Sequence, residues 1–372
     1  MNKQRVLIIG GGFSGMASAI QLAKSGHEVR LVEIDPQWRN YGAGISISGP
    51  SLRTLDTIGI LEDFKKVAWC SDGADVESAS GHRLMTLQTP RVAGSHLPGG
   101  AGVMRPVLAK LMNDKTRACG VDVRLGCTVN TWDERADGVL VRFSDGSNGT
   151  FDLVIGADGV FSASRDRLFP DAPRPQYTGQ GVWRAVLPRM VERVTMYMGV
   201  KTKAGVNPVS QDEMYLFVTD SRPVNERIPE AQFVPILKEL LQEFTAPVIV
   251  KVRENLGPQS HVVYRPLEGM LLPLPWHKGR VLLMGDAVHA TTPHLASGAG
   301  IGLEDGIVIA EELDRASSVA EALQRYDQRR WERCRMVVQN SLRLGQIEIE
   351  GGSQQEHGEL MRVSQEALAQ PI

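Results

Sequence analysis

Gly10, Gly12 and Gly15 stand in the spacing GxGxxG, and an acid, Glu33, follows about twenty residues on. Those residue types in that order suit a dinucleotide. One glycine permits a tight turn, one lets a pyrophosphate approach backbone amides, and one lets a helix pack closely on a strand, while the carboxylate accepts from ribose hydroxyls. Two further strings join a glycine to a short acid: Gly156-Ala157-Asp158-Gly159 and Gly285-Asp286-Ala287. A short carboxylate at the carboxyl end of a strand sits at the crevice where open α/β sheets bind ligands. No Ser-His-Asp or paired-carboxylate arrangement can be argued, which agrees with chemistry carried by a cofactor that the protein positions and desolvates.

The elements that must hold these residues are legible in the apolar pattern. Val6-Leu7-Ile8-Ile9 is a continuous apolar run of the kind a strand buried on both faces produces, and it breaks at Gly10. Met16, Ala19, Ile20, Leu22 and Ala23 then form a helical stripe that stops at Gly26, and residues 28–33 read as a second strand. This unit alone leaves FAD and a nicotinamide dinucleotide both open. Residues 152–157 and 280–284 are two more apolar strands, each running into one of the acid-bearing turns. Past the second, Gly298 and Gly300 lead into a helix with Ile301, Ile307, Val308, Ile309 and Leu313 on its buried stripe. A long helical pattern follows from Val319, with Arg329, Arg330, Arg333 and Arg335 read as a solvated or ion-paired face. Between residues 171 and 270, alternating strands and a helical pattern near Phe233 predict a separate antiparallel sheet, joined by a strand or two from 72–100.

Length and composition bound the alternatives. The 372 residues suit roughly two domains, and 43 acidic against 41 basic side chains leave a charge of −2, which draws the protein to neither nucleic acid nor anionic membrane. The 38 glycines exceed the usual share without a collagen-like period. Cys70, Cys119, Cys127 and Cys334 show no CxxC pair and no metal-ligand spacing, so no metal site is expected and reduced thiols in the cytoplasm are. The apolar run at the N-terminus is too short for a signal peptide, and no run reaches the ~18 residues of a membrane span.

Taken together, the GxGxxG turn, the string GADGxxSxxR from Gly156 to Arg165 and the string GDAxHxxxP from Gly285 to Pro293 resemble the three fingerprints of the class A FAD-dependent aromatic hydroxylases. The resemblance implies an α/β fold: a Rossmann-type FAD-binding domain (1–71, 101–170 and 271–345) with an inserted mixed or antiparallel-sheet substrate domain (72–100 and 171–270), C-terminal helices and a polar C-terminal tail (346–372). It implies that Gly10, Gly12, Gly15 and Glu33 hold the dinucleotide. Asp158, Gly159 and Arg165 would lie by the pyrophosphate and serve nicotinamide use, and Asp286 would bind the ribityl hydroxyls. Backbone at Gly298, Ala299 and Gly300 would face the flavin pyrimidine ring. Gly42-Ala43-Gly44-Ile45 with Leu52-Arg53-Thr54-Leu55, and Met104-Arg105-Pro106, resemble further stretches of the family, so Arg53, Arg105 and Val129 join the cofactor set.

On the substrate side the resemblance points to Ser46, Trp183, Arg184, Tyr215 and His294, with Pro293, His294 and Tyr215 as catalytic candidates. Strand residues such as Trp183, Arg184 and Tyr215 also read as core. His294 either orients or deprotonates a phenol or only shapes its loop, and His289 reads as structural. The segment 289–305 is most similar to the salicylate-hydroxylase branch, but carries Ala296 and Ser297 where that branch has glycine and alanine. The implied activity is aromatic catabolism. NADH or NADPH reduces FAD, dioxygen adds to give a flavin C4a-hydroperoxide, and a small aromatic or heteroaromatic phenol, with or without a carboxylate, is hydroxylated. A monomer or homodimer is expected. The alternatives are a halogenase, oxidase or reductase on the same fold, or a non-catalytic FAD- or ligand-binding protein. The WxWxIP motif of flavin halogenases is absent, and Trp276 in LPLPWHKG does not match it.

Overall fold

The apolar run becomes β1 (Arg5–Ile9), flanked in parallel by β2 (Glu28–Glu33) and β12 (Leu153–Gly156). The computed structural model describes residues 3–39, 42–94, 96–200 and 202–372, and among them this sheet has six strands. Its order is β18 (His277–Lys278), β19 (Val281–Leu283), β12, β1, β2, β8 (Asp122–Leu125), with β18 alone antiparallel. Val6, Leu7 and Ile8 are wholly buried because both faces are covered. Helix α1 (Phe13–Lys24) packs along α9 (Gly298–Arg315) at backbone distance: a Cβ on Gly306 would come within 2.4 Å of the Ser18 nitrogen. Helices α2 (Gly49–Ile58), α3 (Leu61–Val67) and α4 (Arg105–Ala118) extend this layer, and an antiparallel meander of β9 (Val129–Arg135), β10 (Gly138–Phe143) and β11 (Asn148–Phe151) borders the sheet.

The second sheet orders its strands β17 (Val262–Leu271), β13 (Gln176–Pro188), β16 (Glu213–Ser221), β15 (Lys203–Pro208), β14 (Val194–Met198), β5 (Ala74–Ser78), β6 (Arg83–Leu87). It is mixed, since β14 and β5 run parallel. Strand side chains alternate, so one face sends Trp183, Ala185, Leu216 and Val218 into a core beneath α6 (Phe233–Leu240) and α7 (Pro247–Asn255). The other face carries Arg184, Tyr215 and Phe217, and Tyr215 packs against Ala43 and Met104. A three-stranded sheet of β3 (Gly44–Ser48), β7 (Gly100–Met104) and β4 (Trp69–Ser71), which the sequence pattern did not disclose, lies at that junction. Among the described residues no helix is long and apolar enough to cross a membrane.

The C-terminal segment, expected as a polar tail over 346–372, is largely helical. Helix α10 (Val319–Glu350) runs for 32 residues, and α11 (Gln354–Ala369) folds back with Leu368 and Ser364 buried. Its last carbonyls, which have no partner inside the helix, accept from arginines elsewhere. Arg333 donates to Ala367 and Leu368, and Arg53 donates to Ala369 at 3.1 Å and Gln370 at 2.8 Å. Arg53 is therefore an anchor of α11, which corrects its assignment to the cofactor. The Arg53→Ala variant is expected to lose about 1–2 kcal/mol of stability while its FAD affinity stays within about twofold, as read by thermal melts and flavin-fluorescence titration.

Candidate active site

The glycine turn is built by close backbone approach. Gly10 has φ of +105° and donates to Val32 O at 2.9 Å, and a Cβ there would sit 2.4 Å from Ala157 O. A Cβ on Gly15 would sit 2.1 Å from Gly10 O, so α1 rests directly on the turn. Gly12 caps α1 and faces open space, with no atom within 4 Å of where a Cβ would stand, so the free N–H groups of α1 look onto unobstructed volume. Glu33 Oε2 accepts from Gly11 N at 2.7 Å and Oε1 from Asp35 N at 2.8 Å, leaving each oxygen a further lone pair. Val129 opens β9 two residues past Cys127, whose N–H donates to Glu33 O. Trp38 was not anticipated. It is buried with φ of +50°, and its Nε1 donates to Gly11 O at 2.9 Å, clamping the turn.

The acid-bearing turns divide their labour. Asp158 accepts from the Ser162 hydroxyl and from Ser164 N at 2.9 Å, and the buried Arg165 donates to Val160 O at 3.0 Å and Ala287 O at 3.2 Å. These two side chains knit the turn at Gly159 (φ of +83°) and α5 (Ala163–Leu168) to α8 (Asp286–His289), so they shape the turn, and each Asp158 oxygen keeps a further lone pair. Asp286 and Arg105 behave differently. Among the described residues neither side chain makes a hydrogen bond or ion pair; Asp286 is exposed and Arg105 half-buried. Desolvation by the surrounding protein raises the Asp286 carboxyl against the pull of His289 and Arg105, and lowers the Arg105 guanidinium against the pull of Asp286. The Arg105 guanidinium lies 5.0 Å over the Phe13 ring, beside the start of α1. An exposed carboxylate and a half-buried guanidinium left without protein partners are free to take a polar ligand. At the start of α9 no side chain caps the first turn, and a Cβ on Gly300 would meet Ser51 Oγ at 2.3 Å, so Gly298, Ala299 and Gly300 present bare backbone.

Beneath the Asp286 turn lies a charged network. His289 Nε2 is 2.7 Å from Asp305 Oδ2, which also accepts from Gly285 N at 2.9 Å; Arg330 donates to Asp305 Oδ1 at 2.8 Å and to Glu304 at 3.0 Å, and Arg333 grips Glu304. Arg330 is wholly buried and ion-paired, so of the two expectations for this helix its arginine follows the ion-paired one, and α10 supports the Asp286 turn through it. His289, Asp305 and Cys334 bring potential ligand atoms within 4.8 Å of one another. Both Asp305 oxygens already accept, and Arg330 donates to Cys334 Sγ, so the cluster is a hydrogen-bond network.

On the substrate side, Ser46 Oγ is 2.9 Å from Tyr215 OH and accepts from Asn207 Nδ2 at 2.8 Å, joining the two halves of the fold. Arg184 shares that face of the sheet. Trp183 does not. It is wholly buried on the opposite face, edge-on to Phe233, and donates to Asp220 at 3.0 Å, so it is core. His294 is likewise removed from acid–base work. Its side chain is 2% exposed, Nδ1 pairs with Thr292 Oγ1 at 2.9 Å, and the ring seats against Gly345 with Nε2 3.4 Å from Glu348. Burial lowers its pKa against the pull of Glu348, and the ring ties the short turn Pro293–Leu295 to α10. The next residue, Ala296, has φ of +49°. Ala296→Gly is expected to stabilise the protein by about 0.5–1 kcal/mol, seen as a higher melting temperature, because a Cβ is strained in that conformation.

A glycine turn at the edge of a parallel sheet, with Asp286 and Arg105 unpaired among the described residues, suits a bound dinucleotide, and comparison with known proteins gives the class: an FAD-dependent monooxygenase of the aromatic hydroxylase kind. Residues 3–341 match the FAD binding domain family, and the chain belongs to it. It is 32% identical over 341 residues to the YetM protein of Bacillus subtilis, covering 91% of each chain. It is 30% identical over 353 residues to 6-hydroxynicotinate 3-monooxygenase of Bordetella bronchiseptica, covering 90% of each. The crystal structure of Klebsiella pneumoniae HpxO complexed with FAD and uric acid superposes with a TM-score of 0.82 at 24% identity, over 98% of this chain and 92% of that one.

Proposed function

We propose that this FAD enzyme is a cytoplasmic NAD(P)H-dependent monooxygenase that hydroxylates a small aromatic or heteroaromatic phenol. The observation that carries the reading is the unpaired pair Arg105 and Asp286, set between the starts of α1 and α9. In this reading the Gly10–Gly15 turn receives the pyrophosphate, Glu33 the adenosine ribose, Asp286 and Arg105 the ribityl chain and phosphates, and the first turn of α9 the electron-rich end of the flavin. The flavin, when bound, supplies two-electron redox chemistry and oxygen activation.

The chain's own residues do the rest. Phe217 and Val182 on the roofing sheet exclude water, and the Tyr215, Ser46 and Asn207 chain offers a hydroxyl that can orient a phenol. The similar proteins named for 6-hydroxynicotinate and crystallised with uric acid handle oxygenated heteroaromatic rings, which supports a substrate of that size and kind. Four free cysteines fit a reducing compartment.

The test is a panel of phenols, hydroxybenzoates, hydroxypyridines and hydroxyquinolines given to FAD-loaded protein with NADH or NADPH under labelled dioxygen. The expected result is a compound that accelerates NAD(P)H oxidation and acquires one labelled oxygen. Oxidation that releases only peroxide with every compound supports an oxidase or reductase instead.

A further inference from the structure

In the last turn of α10 one carboxylate reaches three other parts of the fold. The Glu348 side chain is 17% exposed, and its Oε1 pairs with Lys203 Nζ at the start of β15 and lies 3.4 Å from His357 Nε2 on α11. Its Oε2 accepts from Gln180 Nε2 on β13 at 3.4 Å and lies 3.4 Å from His294 Nε2. Burial would raise this carboxyl, but Lys203, His294 and His357 hold it well below the usual range, so it stays charged.

Three residues earlier, on the same face, the helix makes room for the contact. Glycine inside a helix costs about 1 kcal/mol against alanine, yet Gly345 lies within α10. A Cβ there would come within 2.9 Å of both Gln180 Oε1 and His294 Cε1. The close seat of His294 is therefore built into the helix. What it holds lies next to the cofactor turn: His294 belongs to the segment Pro293–Leu295, and only Ala296 and Ser297 separate that segment from the first turn of α9. At the other end of the contact, Lys203 opens β15, and Asn207 farther along that strand donates to Ser46 Oγ at 2.8 Å. A single charge thus spans the loop in front of α9 and the second sheet.

We propose that Glu348 is a positioning residue for the flavin: acting through His294, it fixes the first turn of α9 relative to the second sheet and so sets how strongly that turn's N–H groups stabilise reduced flavin. This rests on the reading that places the electron-rich end of the flavin at the start of α9.

The midpoint potential of bound FAD, measured by redox titration, reads the effect and needs no substrate. Glu348→Gln, close in shape, is expected to lower it by about 30 mV, tenfold in the two-electron equilibrium constant. His294→Gln is expected to lower it by a similar amount, and the double variant by no more than either single change, because one residue acts through the other. Glu356→Gln, which breaks an exposed pair with Arg343 at the same corner between α10 and α11, is expected to leave the potential unmoved. A lower melting temperature in Glu348→Gln with an unmoved potential, or shifts that add in the double variant, would overturn the proposal. Lys203→Met keeps Glu348 in place and decides the matter where Glu348→Gln cannot be purified: a drop of about threefold, ~15 mV, is expected, and no drop overturns the proposal.

A last variant tests the placement of the flavin separately. Ala299→Pro removes one N–H from the first turn of α9, where proline is tolerated, and is expected to lower the potential as well. No change there would overturn the placement and the proposal with it. A drop there with none in Glu348→Gln would overturn the proposal alone.

Discussion

Gly10→Ala is expected to yield protein that no longer retains FAD, with affinity reduced on the order of 100-fold, the scale on which a misplacement of about 1 Å acts. Two effects combine. At φ of +105° any side chain is strained, and the added Cβ would lie 2.4 Å from Ala157 O, which is backbone and has no rotamer to escape into. The turn can make room only by parting β1 from β12, and that carries the first turn of α1 and the neighbouring Asp158 with it. Gly12→Ala is the contrast. Its Cβ enters open space, so the melting temperature of the apoprotein should hold, while FAD affinity falls because the methyl occupies the volume through which a pyrophosphate approaches the amides. Flavin-fluorescence titration and thermal melts on both variants separate damage to the fold from damage to the cradle. A Gly10→Ala protein that purifies with a full complement of FAD would refute this account of the turn.

Arg330→Met is expected to cost roughly 3–5 kcal/mol, the range for removing one partner from a buried ionic network. Arg330 bonds Asp305, Glu304, Ile301 O and Cys334 at once, with no solvent exposure. Its loss leaves Asp305 to His289 and Gly285 N, and Glu304 to Arg333. Burial by itself would raise the Asp305 carboxyl, but His289 and Arg330 hold it below the usual range. A depressed carboxyl contributes stability above its unfolded pKa and loses it as pH falls below that value, so the wild type should lose more stability on acidification below about pH 4 than the variant does. Because Asp305 also holds Gly285 N, at the foot of the Asp286 turn, the variant should bind FAD more weakly as well. Differential scanning calorimetry should find a melting temperature lower by roughly 5–10 °C. A variant that melts with the wild type would show that the network is dispensable.

The strands and helix starts around the cofactor were legible because each signal is local. A run such as Val6 to Ile9 is apolar for the faces it buries, and a glycine at Gly15 is required by contacts within a strand-turn-helix unit. The resemblance in the three fingerprints added order to these signals. Residues whose role depends on the other half of the fold were not legible. Arg53 sits in a stretch that resembles the family, yet its guanidinium meets carbonyls 316 and 317 residues away. Trp183 and Arg184 are adjacent in sequence and end on opposite faces of a sheet, one in a core and one half-buried. The polar residues after Gly351 hide a helix because only its Ser364 and Leu368 edge is buried.

By itself, then, the sequence determined that a dinucleotide is cradled between a parallel sheet and the start of α1, since turn geometry, apolar runs and glycine spacing are properties of short segments. The tertiary structure alone decided which charges find partners. Among the described residues Asp286, Arg105 and Arg184 remain unpaired, while Arg165, His294 and Arg330 are committed to neighbours brought from distant segments. Ion pairs and hydrogen bonds form between groups a few ångströms apart in space, and no spacing along a chain records that distance.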